Sequence, residues 1–532
     1  MARNIAVVDS ETDPFKYGRV PAPFIWGYYN GDEYHYFNTT QELVEFLKPR
    51  NEIIYAHNGG KFDWHFVLPY LDDGQEITII NGRLSKFKLG AAECRDSINI
   101  LPVALSEYQK DDFDYKILER ELRNIPENRI KIQAYLKSDC INLYDMVSKF
   151  IAEYGVNLTL AGTSIKQWKK ISKLDVPSST EYYYDYFKPY YYGGRVQCFK
   201  KGLIHENFNV VDINSAYPRA MLDNHAYSLA YNYIKKIPPI ESEKFVYGFY
   251  TITALSKGGL PFRDEKENKL YFPMDNEIRE YSVTGWELKA AIETNTISDI
   301  KFIRGFMHTN FENFKTYIEH FYTMRKQAKK DKDKAKDLFA KLLMNSLYGK
   351  FATNPKTYKK YFITDDEKVK NAAIILKDNE LNFAGYLGDW FVLESPIPPS
   401  EMKFYNIATA ASITGYVRAF LWRSICKVGI DNVLYCDTDS LATTNIEGLD
   451  LGAELGQWKD EGEFIYAAIA GRKLYAFKDM NGDYKIASKG ARLTADEITE
   501  IAAGGSAYYR FDAPSFSYNK SPSFIDRNIT ST

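Results

Sequence analysis

A chain of 532 residues is too long for one hydrophobic core and predicts three or four packing units. Hydrophobic residues at 45% and charged residues at 26% are ordinary for a globular protein, and no apolar run approaches the ~18 residues of a bilayer-spanning helix, which excludes the helical membrane class. The formal net charge of −2 excludes a nucleic-acid partner held by overall charge and leaves only a local basic patch as a route to one.

The N-terminus enters a strand-like segment with no signal peptide, so a cytoplasmic protein is expected. Cys94, Cys140, Cys198, Cys426 and Cys436 show no paired spacing, and neither a disulfide framework nor a zinc site is expected. With 42 Tyr and 33 Phe, most rings fill cores, yet exposed ones can stack single-stranded bases.

In chain order, Ile5 to Val8 reads as a strand ending at Asp9, with Asp9 and Glu11 on one face. A second short strand, Ile53 to Ala56, runs into His57-Asn58-Gly59-Gly60-Lys61-Phe62-Asp63, where the glycines permit a tight turn. Asp63 then lies near the start of a helix through Leu68. Ile130 to Val147 reads as a helix that projects Tyr135 and Asp139, four apart, from one face. Singly, each carboxylate reads best as solvated surface. Together they supply the four carboxylates and a Tyr that two-metal phosphodiester hydrolysis uses.

From about Tyr154 to Lys201 the chain is aromatic and punctuated, with Tyr190-Tyr191-Tyr192-Gly193-Gly194-Arg195 at its end, and we place a domain boundary there. The Gly-Gly pair either lets backbone approach a phosphate between stacking rings or turns a plain hairpin. Val210-Val211 ends a strand at Asp212, which either holds a metal or anchors the helix running to Met221. Residues 222 to 303 read as a mixed α/β insertion without recognisable chemistry.

Asn310 to Phe351 reads as a helical hairpin with a lysine-rich tip. On its second helix Lys341, Asn345 and Tyr348 fall within about 60° of one another, while Phe339, Leu342 and Leu343 take another sector. A cation, an amide and a ring on one face suit a nucleotide. A turn-rich second insertion, about 356 to 403, precedes a helix from Ile407 to Ile425.

Val433-Leu434-Tyr435-Cys436-Asp437-Thr438-Asp439-Ser440-Leu441-Ala442 then reads as a buried hairpin interrupted by polar residues. Extended geometry puts Asp437 and Asp439 on one face, where two carboxylates repel unless a cation such as magnesium intervenes; a solvated turn is the equal alternative. Farther on, Lys473 and Tyr475 read as one face of a strand, and the tail from Ala491 reads as small, polar and partly disordered.

Asp212-Ile213-Asn214-Ser215-Ala216-Tyr217-Pro218, Lys341 to Gly349 with Asn345 and Tyr348, and Tyr435 to Ser440, in that order, resemble the three polymerase motifs of family B DNA polymerases. Asp9 to Glu11, Asn58 to Asp63 and Tyr135 to Asp139 resemble the family's three proofreading motifs. Tyr191 to Gly194 resembles its interdomain linker motif, and Lys473-Leu474-Tyr475 its last palm-side motif. Compactness and two insertions, between Asp212 and Lys341 and between Tyr348 and Asp437, resemble the protein-primed subgroup of linear phage and plasmid genomes.

The resemblance implies an α/β and α+β multidomain chain: a ribonuclease H-like 3′–5′ exonuclease domain (1–153), a linker region (154–201) and a right-hand polymerase domain (202–532). The latter divides into palm (about 202–222, 304–312 and 404–480), first insertion (223–303), fingers (313–353), second insertion (356–403) and thumb (481–532). By resemblance, Asp212 and Asp439 bind two metal ions with Asp437 in support. Lys341, Asn345, Tyr348, Ser215 and Tyr217 contact the nucleotide, with Tyr217 gating the sugar. Asp9, Glu11, Asp63 and Asp139 carry the exonuclease metals, and Tyr135 orients water. Tyr191, Gly193, Gly194, Lys473, Tyr475, His57, Asn58, Phe62, Lys110 and Tyr115 contact DNA.

Two Mg2+ per site, replaceable by Mn2+, are expected. Primer-template DNA, dNTPs, a terminal protein primer and a single-stranded DNA-binding protein are the expected partners of a monomeric, strand-displacing replicase of a linear genome. Motif A carries Ala216 where a bulkier apolar residue is commoner. A stand-alone nuclease, a nonenzymatic strand-binding protein and a polymerase primed by nucleic acid alone remain as alternatives.

Overall fold

A computed structural model describes residues 3–108, 112–177, 179–264, 266, 268–375, 381–398, 401, 406–488 and 490–531. Two large sheets carry the chain. The first has ten strands; its centre sets Asn4–Thr12 parallel to Glu52–Ala56, which is parallel to Ala92–Asp96. Parallel strands need both faces covered. The helix Pro126–Tyr154 supplies one cover, burying Ile132, Leu136, Cys140 and Leu143 against Val7 and Ile25. Proline at its first turn and Gly155 (φ 76°) at its end fix its limits.

The second insertion does not stand apart from this sheet. Its strand Lys359–Thr364 pairs with Glu76–Ile80, and Asn382–Leu387 and Trp390–Pro396 extend the same sheet outward. Ile363, Leu387 and Val392 enter the core of Trp64, Val67 and Phe87.

The second sheet is antiparallel and runs from Tyr484–Ser488 through Leu474–Asp479, Trp458–Gly471, Phe208–Ile213, Ser440–Thr443 and Val433–Asp437 to Val196–Cys198. The helix Ile407–Val428, apolar almost all round, lies under it, which is the pattern of a helix buried on every side. Lys315–Lys330 and Lys334–Phe351 form the expected helical hairpin, with Lys332 in a left-handed turn (φ 57°) and Arg325 paired to Asp337 at 2.8 Å across it.

Three expectations change. The strand Ile297–His308 runs through residue 303 and pairs with Gly248–Ser256, so the first insertion's sheet continues into the segment read as palm. Residues 491–531 are not a disordered tail within the described residues: a helix, Ala495–Ala502, is followed by paired strands 506–510 with 526–530 and 515–517 with 520–523. Their apolar residues are too sparse for a periodic signal, and Phe516 and Tyr518 anchor them elsewhere in the chain. Lys473 does not share a strand face with Tyr475; it occupies the turn before Leu474–Asp479 in a left-handed conformation (φ 56°). Among the described residues no helix is long and apolar enough to cross a membrane.

Candidate active sites

Asp212 lies one residue from the end of its strand, opposite Ser440 on one side and Lys459 on the other. The neighbouring strand turns at Asp437-Thr438-Asp439. Thr438 adopts φ 61°, which ends the extended alternation, so Asp437 and Asp439 do not share one strand face as spacing alone suggested. The turn is held from both sides: Asp439 O accepts the Ile213 N–H at 2.7 Å, and Arg195 O accepts the Thr438 N–H at 2.6 Å.

The two carboxylates have different surroundings. Asp437 receives the Lys473 ammonium at 3.0 and 2.9 Å on its two oxygens. Asp439 is pushed up by burial and by Asp437. Burial and then Asp439 raise Asp212 to about 6. Asp439 thus acts on Asp212, and Lys459 and Lys485 act on Asp212 only at longer range. Among the described residues neither Asp212 nor Asp439 makes a direct ion pair, whereas Asp437 is paired to Lys473. Oxygen donors in that condition suit a divalent cation of the magnesium type.

Tyr217, on the short helix Ala216–Ala220 beyond Asp212, stacks on Tyr348 with centroids 4.1 Å apart and planes at 7°. Ser215 precedes it at φ 54°. On the helix Lys334–Phe351, Lys341 is exposed, and the Asn345 amide donates to the Lys341 carbonyl at 2.9 Å. Phe339 and Leu343 are buried on the other side, while Leu342 is half-buried. The sequence face of Lys341, Asn345 and Tyr348 is therefore one physical face, joined to Asp212 through Tyr217.

Tyr191 to Arg195 form no hairpin; they lead into Val196–Cys198, which pairs with Val433–Asp437. Gly193 is open, but a side chain on Gly194 would overlap Thr438. The Lys473 N–H donates to Tyr435 OH at 2.9 Å, and Tyr475 lies 4.9 Å from the Tyr435 ring. Linker motif, the Asp437–Asp439 hairpin and Lys473 motif form one contiguous unit.

The second cluster lies on the first sheet. Asp9, Glu11 and Asp139 bring oxygens within 4.8 Å of one another. Asp63, buried at the first turn of its helix, accepts the Ser10 hydroxyl at 2.5 Å. Burial, then Asp63, Asp139 and Glu11, drives Asp9 well above the usual carboxylate range. Burial, then Asp139 and Asp63, takes Glu11 to about 8, and burial takes Asp63 to about 6. Asp9, Glu11 and Asp63, raised in this way and with Asp139 beside them, fit a bound divalent cation. Gly60 serves close approach rather than a left-handed turn: a Cβ there would strike the Leu84 carbonyl.

Tyr135 stands beside this cluster, its hydroxyl 3.0 Å from that of Tyr115 and its ring stacked 4.0 Å from Phe113. Phe62 meets Phe15, Phe66 and Phe516 edge-on. Asn58 (φ 60°) accepts from Arg83 at 2.6 Å. His57 has both ring nitrogens engaged, with Ser97 Oγ at 2.9 Å and Val103 O at 2.8 Å, and burial lowers its pKa. Lys110 lies outside the described residues.

Sequence reading missed three groups. Asp13 continues the Asp9/Glu11 row but is neutralised by Arg120 at 2.9 Å and Arg123 at 2.7 Å, so it is no ligand candidate. Arg418 donates Nε to Glu287 at 2.7 Å and Nη1 to the carbonyls of Tyr192 at 2.5 Å and Gly193 at 2.8 Å. An arginine inside an apolar helix was its available signal. Phe516 had none.

The description "DNA polymerase type B, organellar and viral" matches residues 105–447, well over half the chain. The DNA-directed DNA polymerase of Enterobacteria phage PRD1 is 35% identical, over 99% of this chain and 98% of its own. The chain belongs to the type B DNA polymerases of organelles and viruses. The DNA polymerase of Bacillus phage Nf is 24% identical over 86% of this chain and 84% of its own. Among solved structures, Phi29 DNA polymerase superposes with TM-score 0.75 at 19% identity, covering all of both chains. Its complex with primer-template DNA and incoming nucleotide gives 0.74 at 20% identity. The fold of this polymerase is thus the exonuclease-plus-right-hand architecture expected from the motifs.

Proposed function

We propose that this polymerase extends a primer at Asp212 and Asp439 and hydrolyses 3′ ends at Asp9, Glu11, Asp63 and Asp139. The observation that carries the reading is the presence of two separate groups of carboxylates with raised pKa, the half-buried Asp212 and Asp439 on the second sheet and Asp9, Glu11 and Asp63 on the first. Mg2+, two per site and replaceable by Mn2+, is the metal we assign. Bound divalent cations there would lower the pKa of a ligating hydroxyl or water and screen charge developing on phosphate.

Around the first cluster, Asp437 with Lys473 keeps the hairpin in place. Lys341 binds triphosphate charge, Asn345 and Ser215 line that face, and the Tyr217–Tyr348 stack sits against base and sugar. Tyr191, Gly193, Gly194 and Tyr475 guide the primer end. Around the second, Tyr135 orients the attacking water, while Phe62, Asn58 and Tyr115 receive the single strand. His57 acts there through Ser97 and Val103 rather than by direct contact. The domain limits follow the motifs: 1–153, 154–201 and 202–532, with 481–532 as thumb.

Similarity to the PRD1 enzyme and the two insertions support priming by a terminal protein, with a single-stranded DNA-binding protein as a further partner, on a linear genome copied in the host cytoplasm. Asp439→Ala is expected to abolish nucleotide addition and spare cleavage of single strands, and Asp9→Ala to do the reverse. Loss of both activities in either folded variant would overturn the two-site reading. Covalent labelling of a candidate terminal protein by labelled dATP tests the priming mode; its absence with every candidate, beside normal extension of an oligonucleotide primer, contradicts it.

A further inference from the structure

Outside the clusters already described, the helical hairpin meets the loops of the second sheet at one charged point. Tyr322 and Lys326 lie four apart on the helix Lys315–Lys330 and project from one face. Both reach Glu454, in the loop that joins Ser440–Thr443 to Trp458–Gly471. The Lys326 ammonium donates to the two Glu454 oxygens at 3.1 and 2.9 Å, and the Tyr322 hydroxyl donates to the second of them at 2.8 Å. Among the described residues no other ion pair joins the hairpin to this sheet or its loops.

Both ends of this clasp are stiff. Asn214, two residues beyond Asp212, accepts the Gly456 N–H at 2.9 Å, donates its own N–H to the Gln457 carbonyl at 2.9 Å and donates its amide to the Gly452 carbonyl at 2.8 Å. Gln457 Oε1 accepts the Glu454 N–H at 3.0 Å, so the carboxylate stands on a loop braced to the segment of Asp212. Across the hairpin, the Tyr317 hydroxyl donates to the Leu343 carbonyl at 2.8 Å and Arg325 pairs with Asp337. The two helices therefore move as one, and whatever fixes Lys326 fixes Lys341, Asn345 and Tyr348 as well. With the clasp made, Tyr348 lies against Tyr217. The orientation it holds is thus the one that turns the nucleotide face onto the helix beyond Asp212.

We propose that Glu454 is a positioning residue for nucleotide addition: through Lys326 and Tyr322 it holds the helical hairpin in the orientation that receives the incoming nucleotide, and it touches neither nucleotide nor metal. The inference rests on the reading of Asp212 and Asp439 as the polymerase site and of Lys341, Asn345 and Tyr348 as its nucleotide face. A ligand binds with an apparent affinity reduced to the fraction of molecules in the competent orientation. Loss of the clasp therefore weakens nucleotide capture and leaves the chemical step, once the hairpin is seated, as it was. An exposed ion pair is a small bias, up to about 5-fold in an equilibrium constant, so the effect is graded rather than all-or-none.

Single-nucleotide insertion on a primer-template is the test, with dATP as the probe and the full chain throughout. Glu454→Gln and Lys326→Gln should each raise KM for dATP by up to about 5-fold, with kcat and the cleavage of single strands unchanged. Glu454→Lys and Lys326→Glu should each do more, and the two combined should return KM to the parent value, because the pair is rebuilt with its charges exchanged. Added salt should raise KM more steeply in the parent than in Glu454→Gln, since screening weakens exposed pairs.

An unchanged KM in either Gln variant, or a double variant no better than the single reversals, overturns the proposal. So does a lowered KM, which would mean that the clasp holds the nucleotide face away from Asp212. A fall in kcat together with a lower thermal midpoint would reduce Glu454 to a fold-stabilising residue and overturns it as well. Asp439→Asn separates this inference from the reading beneath it. Extension that persists in Asp439→Asn refutes the polymerase assignment, whereas extension lost there beside an unchanged KM in Glu454→Gln refutes the clasp alone.

Discussion

Gly194 lies against Thr438 so closely that a Cβ at 194 would overlap the threonine side chain. Because Arg195 O also accepts the Thr438 N–H at 2.6 Å, the linker fixes the turn that carries Asp437 and Asp439. Gly194→Ala should shift that turn by a fraction of an ångström. A misplacement of about 1 Å costs ~10²-fold in rate, so primer extension should fall by up to that factor while cleavage of single strands is unaffected. Gly193→Ala, with open space around it, should do far less; equal losses in the two variants would refute the packing role.

Tyr348 holds Tyr217 by stacking at 4.1 Å. Tyr217→Val is expected to admit ribonucleotides, and unchanged sugar discrimination would remove Tyr217 from the gate. An aromatic pair contributes about 0.5–1.5 kcal/mol beyond area burial, so Tyr348→Ala should loosen the dATP over ATP preference in kcat/KM by up to roughly tenfold.

Arg418 and Glu287 are both buried, with side chains 2% and 1% exposed and 2.7 Å apart. Glu287 also caps its own helix by accepting from the Thr284 N–H and hydroxyl. Glu287→Ala should destabilise the fold by about 3–5 kcal/mol, since it leaves the guanidinium buried and unpaired. Urea unfolding checks this, and a midpoint within error of the parent would contradict it.

Glu11, at about 8, holds its proton more tightly in the fold than in the unfolded chain, where 4.5 is usual. The native state therefore binds the extra proton, and the contribution to stability is full below about pH 4.5 and lost as pH rises through 8. In EDTA, the thermal midpoint should fall from pH 5 to pH 8 more steeply for the parent than for Glu11→Gln. Added Mg2+ should recover the parent most at the higher pH. A parent and variant with parallel profiles would show that Glu11 is not the group responsible.

The motif-bearing elements were legible because their signals are local. The strands that carry Asp9 and Asp212, the long helix with Tyr135 and Asp139, and the helical hairpin with Lys341 all form where apolar periodicity put them, although the first strand runs on past Asp9 to Thr12 and the second past Asp212 to Ile213. Where periodicity stops, so did the reading. Lys473 sits in a turn, and Asp437 and Asp439 straddle a residue at φ 61°, so rules for extended chain do not reach them.

The sequence by itself determined the kind of chemistry: acids on short apolar strands and a cation, amide and ring on one helical face follow from residue type and spacing. Tertiary structure alone decided which acid keeps a cation and which lacks one. Asp437 meets Lys473 from 36 positions away, and Asp439 meets Asp212 across a strand boundary. It likewise decided that the second insertion extends the first sheet and that Arg418 holds the linker. Such relations arise from burial and from contacts between residues distant in the chain, and no local pattern encodes them.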